Sequence, residues 1–197
     1  MTLRTRLLAI LAASIAAIGI PAVLYGIRVQ DVHESAAPPP VLDKLKLIPG
    51  NPPAPDVSFA DASGKTLRLN DFRGRYVLVN LWATWCGPCI TELPALTRLQ
   101  GVLPQEAITV VPIDLEKLGV EKVTEFLKMH AIEGLPIYID RDLNAMRGFV
   151  ANELPLTILI DGQGHEVARA AGAQAWDAAD SVAYLKAISA PKPASGG

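Results

Sequence analysis

Cys86 and Cys89 are the only two cysteines in the 197-residue chain, and two residues separate them. A dithiol at that spacing can close into a disulfide, open one on another protein, or hold a soft metal ion. Several other uses fit poorly. A structural zinc needs four ligands, but there is no second cysteine pair, and His33, His130 and His165 are scattered. Covalent haem attachment needs a histidine directly after the second cysteine, where Ile90 stands. A bridge across so short a loop restricts the unfolded chain least, so it would be a weak staple. Redox transfer is the use that the spacing favours.

The elements around the pair point the same way. Tyr76 to Trp82 is rich in β-branched and aromatic residues and predicts a buried strand. Ile90, Leu93, Leu96 and Leu99 recur at helical spacing and predict a helix over 86–100. The dithiol therefore sits where a strand hands over to a helix. Free N–H groups and the positive dipole end at a helix start favour a thiolate, which is the nucleophile. Cys86, at the helix start, is expected to attack. Cys89, one turn in and deeper, is expected to resolve the mixed disulfide. Pro88 suits a first helical turn, where its missing N–H has no partner to lose. Gly87 leaves room for a partner chain. Pro94 falls inside the helix and predicts a kink.

Residues Trp85 to Cys89 (WCGPC) are the active-site motif of thioredoxins. The longer string Leu78 to Cys86 (LVNLWATWC), with Asp71 to Gly74 (DFRG) upstream, resembles the membrane-anchored TlpA/ResA/CcmG branch of that superfamily, and sits closest to TlpA. The likeness runs from about Pro49 to Ile188. It implies an α/β thioredoxin fold: a central mixed sheet flanked by helices, an N-terminal β-hairpin, and an added helix and strand between Asp114 and Leu154. It implies that the Leu154–Pro155 bond is cis, with Pro155 opposite the dithiol and the Leu154 backbone pairing with a substrate chain as an added strand. Pro136 reads instead as an ordinary trans strand start. Glu92 lies three past Cys89, so its carboxylate can face the cysteines. Relatives of the ResA/CcmG type use a glutamate there to handle the thiol proton, and a solvated first-turn glutamate is the alternative. Asn80 occupies the place of the buried aspartate of thioredoxin and cannot titrate. Trp85 is expected to border the substrate groove, and Trp82 to lie in the core.

The rest of the chain gives the setting. Arg4 and Arg6 precede an uncharged apolar run from Leu7 to Ile27. A run of about 20 apolar residues can span a bilayer, and N-terminal arginines favour a cytoplasmic start. Residues 1–29 thus read as a single-pass anchor in the cytoplasmic membrane, N-terminus inside, with the catalytic domain in the periplasm. Cleavage near Ser35 to Ala37 is the alternative. Prolines 38–40, 49, 52, 53 and 55 make 30–55 a stiff linker, although Val41 to Ile48 alternates charged and apolar residues and can pack on the domain edge. Residues 56–190 form the folded domain and 191–197 a tail. Two hairpins are expected, Val57–Leu69 around Gly64 and Leu156–Ala170 around Gly164. Asn70 is expected to cap a short helical turn. Further elements are a strand over 108–114, a helix over 120–130, a short strand over 135–139, a short helix over 144–149 and a last helix starting near Asp177.

Net charge is −2, and no basic run lies outside the N-terminus, which argues against nucleic-acid binding. The reading is a thiol–disulfide oxidoreductase acting as a reductase, needing neither metal nor organic cofactor. Its expected partners are a disulfide-bearing protein substrate and, because the compartment is oxidising, a membrane-embedded thiol electron donor. By resemblance, candidate substrates are the haem-binding cysteines of apocytochrome c and copper-site cysteines in oxidase assembly. The competing class is a Cu(I)-carrying binding module using the same two sulfurs.

Overall fold

The structure, a computed structural model, describes residues 37–190. The expected anchor, His33, the start of the linker and the tail lie outside them. Among the described residues no helix is long and apolar enough to cross a membrane.

Eight strands form one mixed sheet in the order β1-β8-β7-β4-β5-β6-β2-β3. They are β1 Leu45–Leu47, β2 Ser58–Asp61, β3 Thr66–Arg68, β4 Tyr76–Trp82, β5 Ile108–Asp114, β6 Tyr138–Ile139, β7 Leu156–Ile160 and β8 Glu166–Ala171. Among the described residues four α-helices accompany them: α1 Gly87–Val102, α2 Val120–Met129, α3 Asn144–Gly148 and α4 Ala179–Ser189. The centre of the sheet is β4, parallel to β5 and antiparallel to β7. This is the thioredoxin fold that the sequence implies.

The period-2 alternation of β4 sorts its side chains onto two faces. Leu78 and Trp82 join the apolar cluster that includes Cys89, Leu93, Leu96 and Leu99 of α1. Val77, Val79 and Leu81 join the cluster behind the sheet, with Phe59, Phe149 and Ile158. Asn80 has the parity of Leu78 and Trp82, which aims a polar side chain at α1. Trp82 is buried among core residues, as expected, and its ring lies 6.1 Å from that of Phe126.

Both hairpins form. β2 pairs with β3, and β7 with β8, the latter with an irregularity between Leu159 and Ile160. Gly64 and Gly164 turn at φ +83° and +88°, a conformation that glycine adopts without steric cost.

Part of the proline-rich stretch is folded, as the alternation over Val41 to Ile48 implies: Leu42 and Leu45 are buried, and β1 is an edge strand antiparallel to β8. Two details differ from the sequence reading. The cap of the turn over Leu69–Phe72 is not Asn70, because the Asp71 carboxylate accepts the Arg68 N–H at 2.8 Å. The 135–139 strand shrinks to Tyr138–Ile139, since β6 meets only the last residues of β5 and the hairpin strand β2.

Leu78 is fully enclosed whereas Leu47 is 40% exposed. Leu78→Ala should therefore lower the unfolding free energy by about 2–5 kcal/mol, and Leu47→Ala by less than about 0.5 kcal/mol, as read from urea denaturation midpoints.

Candidate active site

Cys86 is the N-cap of α1, in extended backbone at φ −88° and ψ 99°, and Gly87 and Pro88 open the helix. Cys86 and Cys89 are joined by a disulfide with their Cα atoms 5.2 Å apart. The Cys89 N–H donates to the Cys86 sulfur at 3.3 Å. The first sulfur thus occupies the place of a capping side chain, against a helix N-terminus whose N–H groups have no helical partner. Exposure separates the two cysteines in the expected order. Cys86 keeps 5% of its surface and Cys89 none (0%). The rim of the site is open: Trp85 is 71% exposed, and a Cβ placed on Gly87 would meet nothing within 4 Å.

The Leu154–Pro155 bond is cis. In the β4–β7 ladder Leu81 faces Leu156, so Pro155 directly precedes the residue paired near the end of the strand that leads into the cysteine motif. The Pro155 carbonyl accepts the Gly172 N–H at 2.8 Å. Among the described residues Leu154 makes no turn or loop backbone hydrogen bond.

Glu92 is not the solvated glutamate of the alternative reading: it is 2% exposed. Its Oε2 accepts from the Asn80 side-chain amide at 3.0 Å. Its Oε1 accepts from the Gln174 backbone N–H at 2.9 Å and the Trp176 indole Nε1–H at 2.5 Å. Asn80 also donates to Thr157 Oγ1 at 2.9 Å, across the β4–β7 ladder. Burial pushes the Glu92 carboxyl above the usual carboxylate range, and the bonds from Trp176, Gln174 and Asn80, with the charge of Lys44, pull against it. The carboxylate sits one helical turn beyond Cys89.

Sequence reasoning missed Trp176 and Gln174, which complete this cage from the loop before α4. Trp176 is fully buried. Its one trace in the sequence is that it is the sole tryptophan outside the motif region. It also missed a second buried carboxyl, Asp114, at the end of β5. Burial first, then the neighbouring Glu116, push that group up to about 8. Among the described residues no cluster of three or more His, Cys, Asp or Glu side chains has metal-binding geometry.

Comparison with known proteins agrees with the fold and the motif. The AhpC/TSA family model matches residues 51–184. The thiol-disulfide oxidoreductase ResA of Geobacillus thermodenitrificans is 34% identical over 113 residues, 56% of this chain and 63% of the relative, so the match spans less than two thirds of that protein. ResA of Bacillus cereus is 30% identical over 132 residues, 67% of this chain and 75% of the relative. Among solved structures, a thioredoxin-family thiol:disulfide interchange protein from Chlorobium tepidum superposes with a TM-score of 0.58 at 24% identity, covering 71% of this chain and 97% of the other. StoA from Bacillus subtilis gives a TM-score of 0.56 at 20% identity, covering 67% and 98%. These structures share the fold, and the family match takes in the dithiol, the cis-proline strand and most of the domain around them: this chain belongs to the AhpC/TSA family.

Proposed function

We propose that the protein is a thiol–disulfide oxidoreductase that reduces disulfides on partner proteins outside the cytoplasmic membrane. The observation that carries this reading is the redox pair itself. A disulfide lies at the N-terminus of α1, with its outer cysteine slightly exposed beside the open Trp85 and its inner cysteine enclosed. The ResA name of the relatives supports the same activity.

The steps are those of thiol–disulfide exchange. In the reduced protein the Cys86 thiolate attacks one sulfur of a partner disulfide, and the partner's other sulfur leaves as a thiolate. Cys89 loses its proton and attacks Cys86. The Cys86–Cys89 disulfide forms, and the partner departs with both of its cysteines reduced. Two electrons pass to the partner for each cycle, and a thiol donor embedded in the membrane restores the dithiol. Trp85, Gly87, Pro88 and the backbone of Leu154 with Pro155 form the surface on which the partner chain lies. Pairing to the Leu154 backbone recognises main chain more than side chains. Glu92 is the acceptor for the Cys89 proton: burial raises its carboxyl towards the range where a proton can be exchanged with a thiol.

Direction and substrate are the finer parts of the proposal. The Gly87–Pro88 pair between the cysteines is that of thioredoxin, a reducing protein at about −270 mV, which favours a reductase over an oxidant near about −120 mV. The TlpA-like wording of the motif region favours copper-site cysteines over cytochrome c cysteines. Residues 1–29 serve as the anchor that places the domain in the periplasm.

Two experiments test this. Cys89→Ser in the native cell envelope should accumulate a mixed disulfide between Cys86 and its partner, releasable by dithiothreitol and absent in Cys86→Ser. No adduct, together with stoichiometric Cu(I) uptake and no turnover on a disulfide substrate, would replace the enzyme with a copper carrier. Glu92→Gln removes a nearby charge, so the Cys89 thiol pKa should fall, while resolution of the mixed disulfide slows by about 100-fold or more. Thiolate absorbance in the ultraviolet and single-turnover kinetics read the two effects. Unchanged values for both would remove Glu92 from the proton path.

A further inference from the structure

We propose that Asp114 and Glu116 are positioning residues for the dithiol loop: a proton held between their carboxyls fixes Glu116 where it grips the Thr84 N–H, and through it the segment that presents Trp85 and Cys86. The proposal deepens the oxidoreductase reading and rests on it for its consequence, though not for its geometry.

Asp114 is 0% exposed, and neither of its side-chain oxygens has a hydrogen-bond partner in the protein. An ionised carboxylate in that position would carry a large desolvation cost with nothing to offset it. A protonated one donates its own O–H. Burial first, then the charge and hydrogen bonding of Glu116, push the Asp114 carboxyl up to about 8. Two close carboxyls cannot both ionise cheaply, so they share one proton. The other role of Glu116 is already filled: its Oε2 accepts the Thr84 backbone N–H at 2.6 Å.

The pair is placed to matter. Asp114 faces Trp82 in the β4–β5 ladder. It has the parity of Ile108 and Val110, which pack on the α1 side of the sheet with the two cysteines. From this side the backbone of the loop is fastened twice, by Thr84 N–H to Glu116 and by Leu115 N–H to the Trp82 carbonyl at 3.0 Å. The Cys86 N–H then bonds the Ala83 carbonyl at 3.1 Å. Residues 82–86 therefore take their path from residues 114–116.

The charged surroundings leave the pair to itself. Just after β6 the next carboxyl is Asp140. Its backbone N–H meets the Asp114 carbonyl, and its side chain is turned away to the Ala145 N–H at 2.6 Å. The one charged group that shifts Asp114 is Glu116. Once the shared proton leaves, both carboxylates repel. Glu116 is only half-buried and turns to solvent. The Thr84 N–H loses its acceptor, and the loop before Cys86 slackens.

A stability trend follows with a definite sign. An unfolded aspartate releases its proton near 3.8, and the folded one near 8. Across that window the folded state holds a proton that the unfolded chain has lost, so stability falls as pH rises and the loss is complete above the folded value. Asp114→Asn abolishes this slope.

The decisive test is the Thr84 amide proton shift of the full-length oxidised protein, followed by NMR from about pH 6 to about pH 10. In the wild type it should start strongly downfield and move upfield with an inflexion near 8. In Asp114→Asn, whose amide still donates to Glu116, and in Glu116→Gln, whose oxygen still accepts from Thr84, it should stay downfield with no inflexion. In Glu116→Ala it should lie upfield at every pH, and the reduced protein should attack a disulfide substrate several-fold more slowly. A flat wild-type titration, or an inflexion that survives in both Asp114→Asn and Glu116→Gln, overturns the proposal. If the inflexion is present as expected but the wild type reduces no disulfide, the pair stands and the oxidoreductase reading fails instead.

Discussion

The structure depends on one contact, the N-terminus of α1 against the Cys86 sulfur. A helix start offers N–H groups with no helical acceptor and the positive end of an aligned dipole. Here the Cys89 N–H already points at that sulfur at 3.3 Å. The interaction strengthens as negative charge builds on the sulfur, so it favours the thiolate over the thiol and a reactive cysteine over an inert one. The sheet serves this contact. β4 lies at the centre, paired on both sides, and it delivers the chain to the helix start at a fixed place.

Around that sulfur the protein arranges two buried carboxyls on the α1 side of the sheet. Glu92 lies one helical turn beyond the cysteines, caged by Asn80, Gln174 and Trp176. Asp114 lies at the end of β5, against Glu116. Burial raises both groups, but their neighbours act in opposite directions. Donors surround Glu92 and partly restore its ionised form, whereas a second carboxyl beside Asp114 opposes ionisation further. In the proposed reading the same residue type serves two tasks, proton exchange at the cysteines and a proton-dependent brace on the loop that leads to them.

Much of this was legible in the sequence where the signal is local. The apolar run of β4, the helical stripe of α1 and the two glycine turns each declare their element over a few neighbouring residues. The WCGPC motif supplied the chemistry and, by resemblance, the cis bond at Pro155, which no local rule would have singled out. What the sequence hid comes from distant segments meeting. Trp176 stands 84 residues from the carboxylate it bonds, and Thr84 lies 32 residues from Glu116, so no periodicity can join them. The edge strand β1 falls in the 41–48 stretch whose alternation pointed to the domain edge but not to its partner. It exists because β8 offers it an unpaired edge, and because Leu42 and Leu45 find apolar cover there. Asn70, a good cap by residue type, lost to Asp71 because the Arg68 N–H points at the aspartate.

The central claim is that Cys86, held at the helix start, is the activated sulfur and Cys89 the sheltered one. The most direct measurement is the pH dependence of alkylation of the reduced protein by iodoacetamide, with the modified residue identified by mass spectrometry. Cys86 should be labelled first, with an apparent pKa clearly below the free-cysteine value of about 8.5, while Cys89 stays unmodified. Labelling of Cys89 first, or an apparent Cys86 pKa at or above that value, would contradict it.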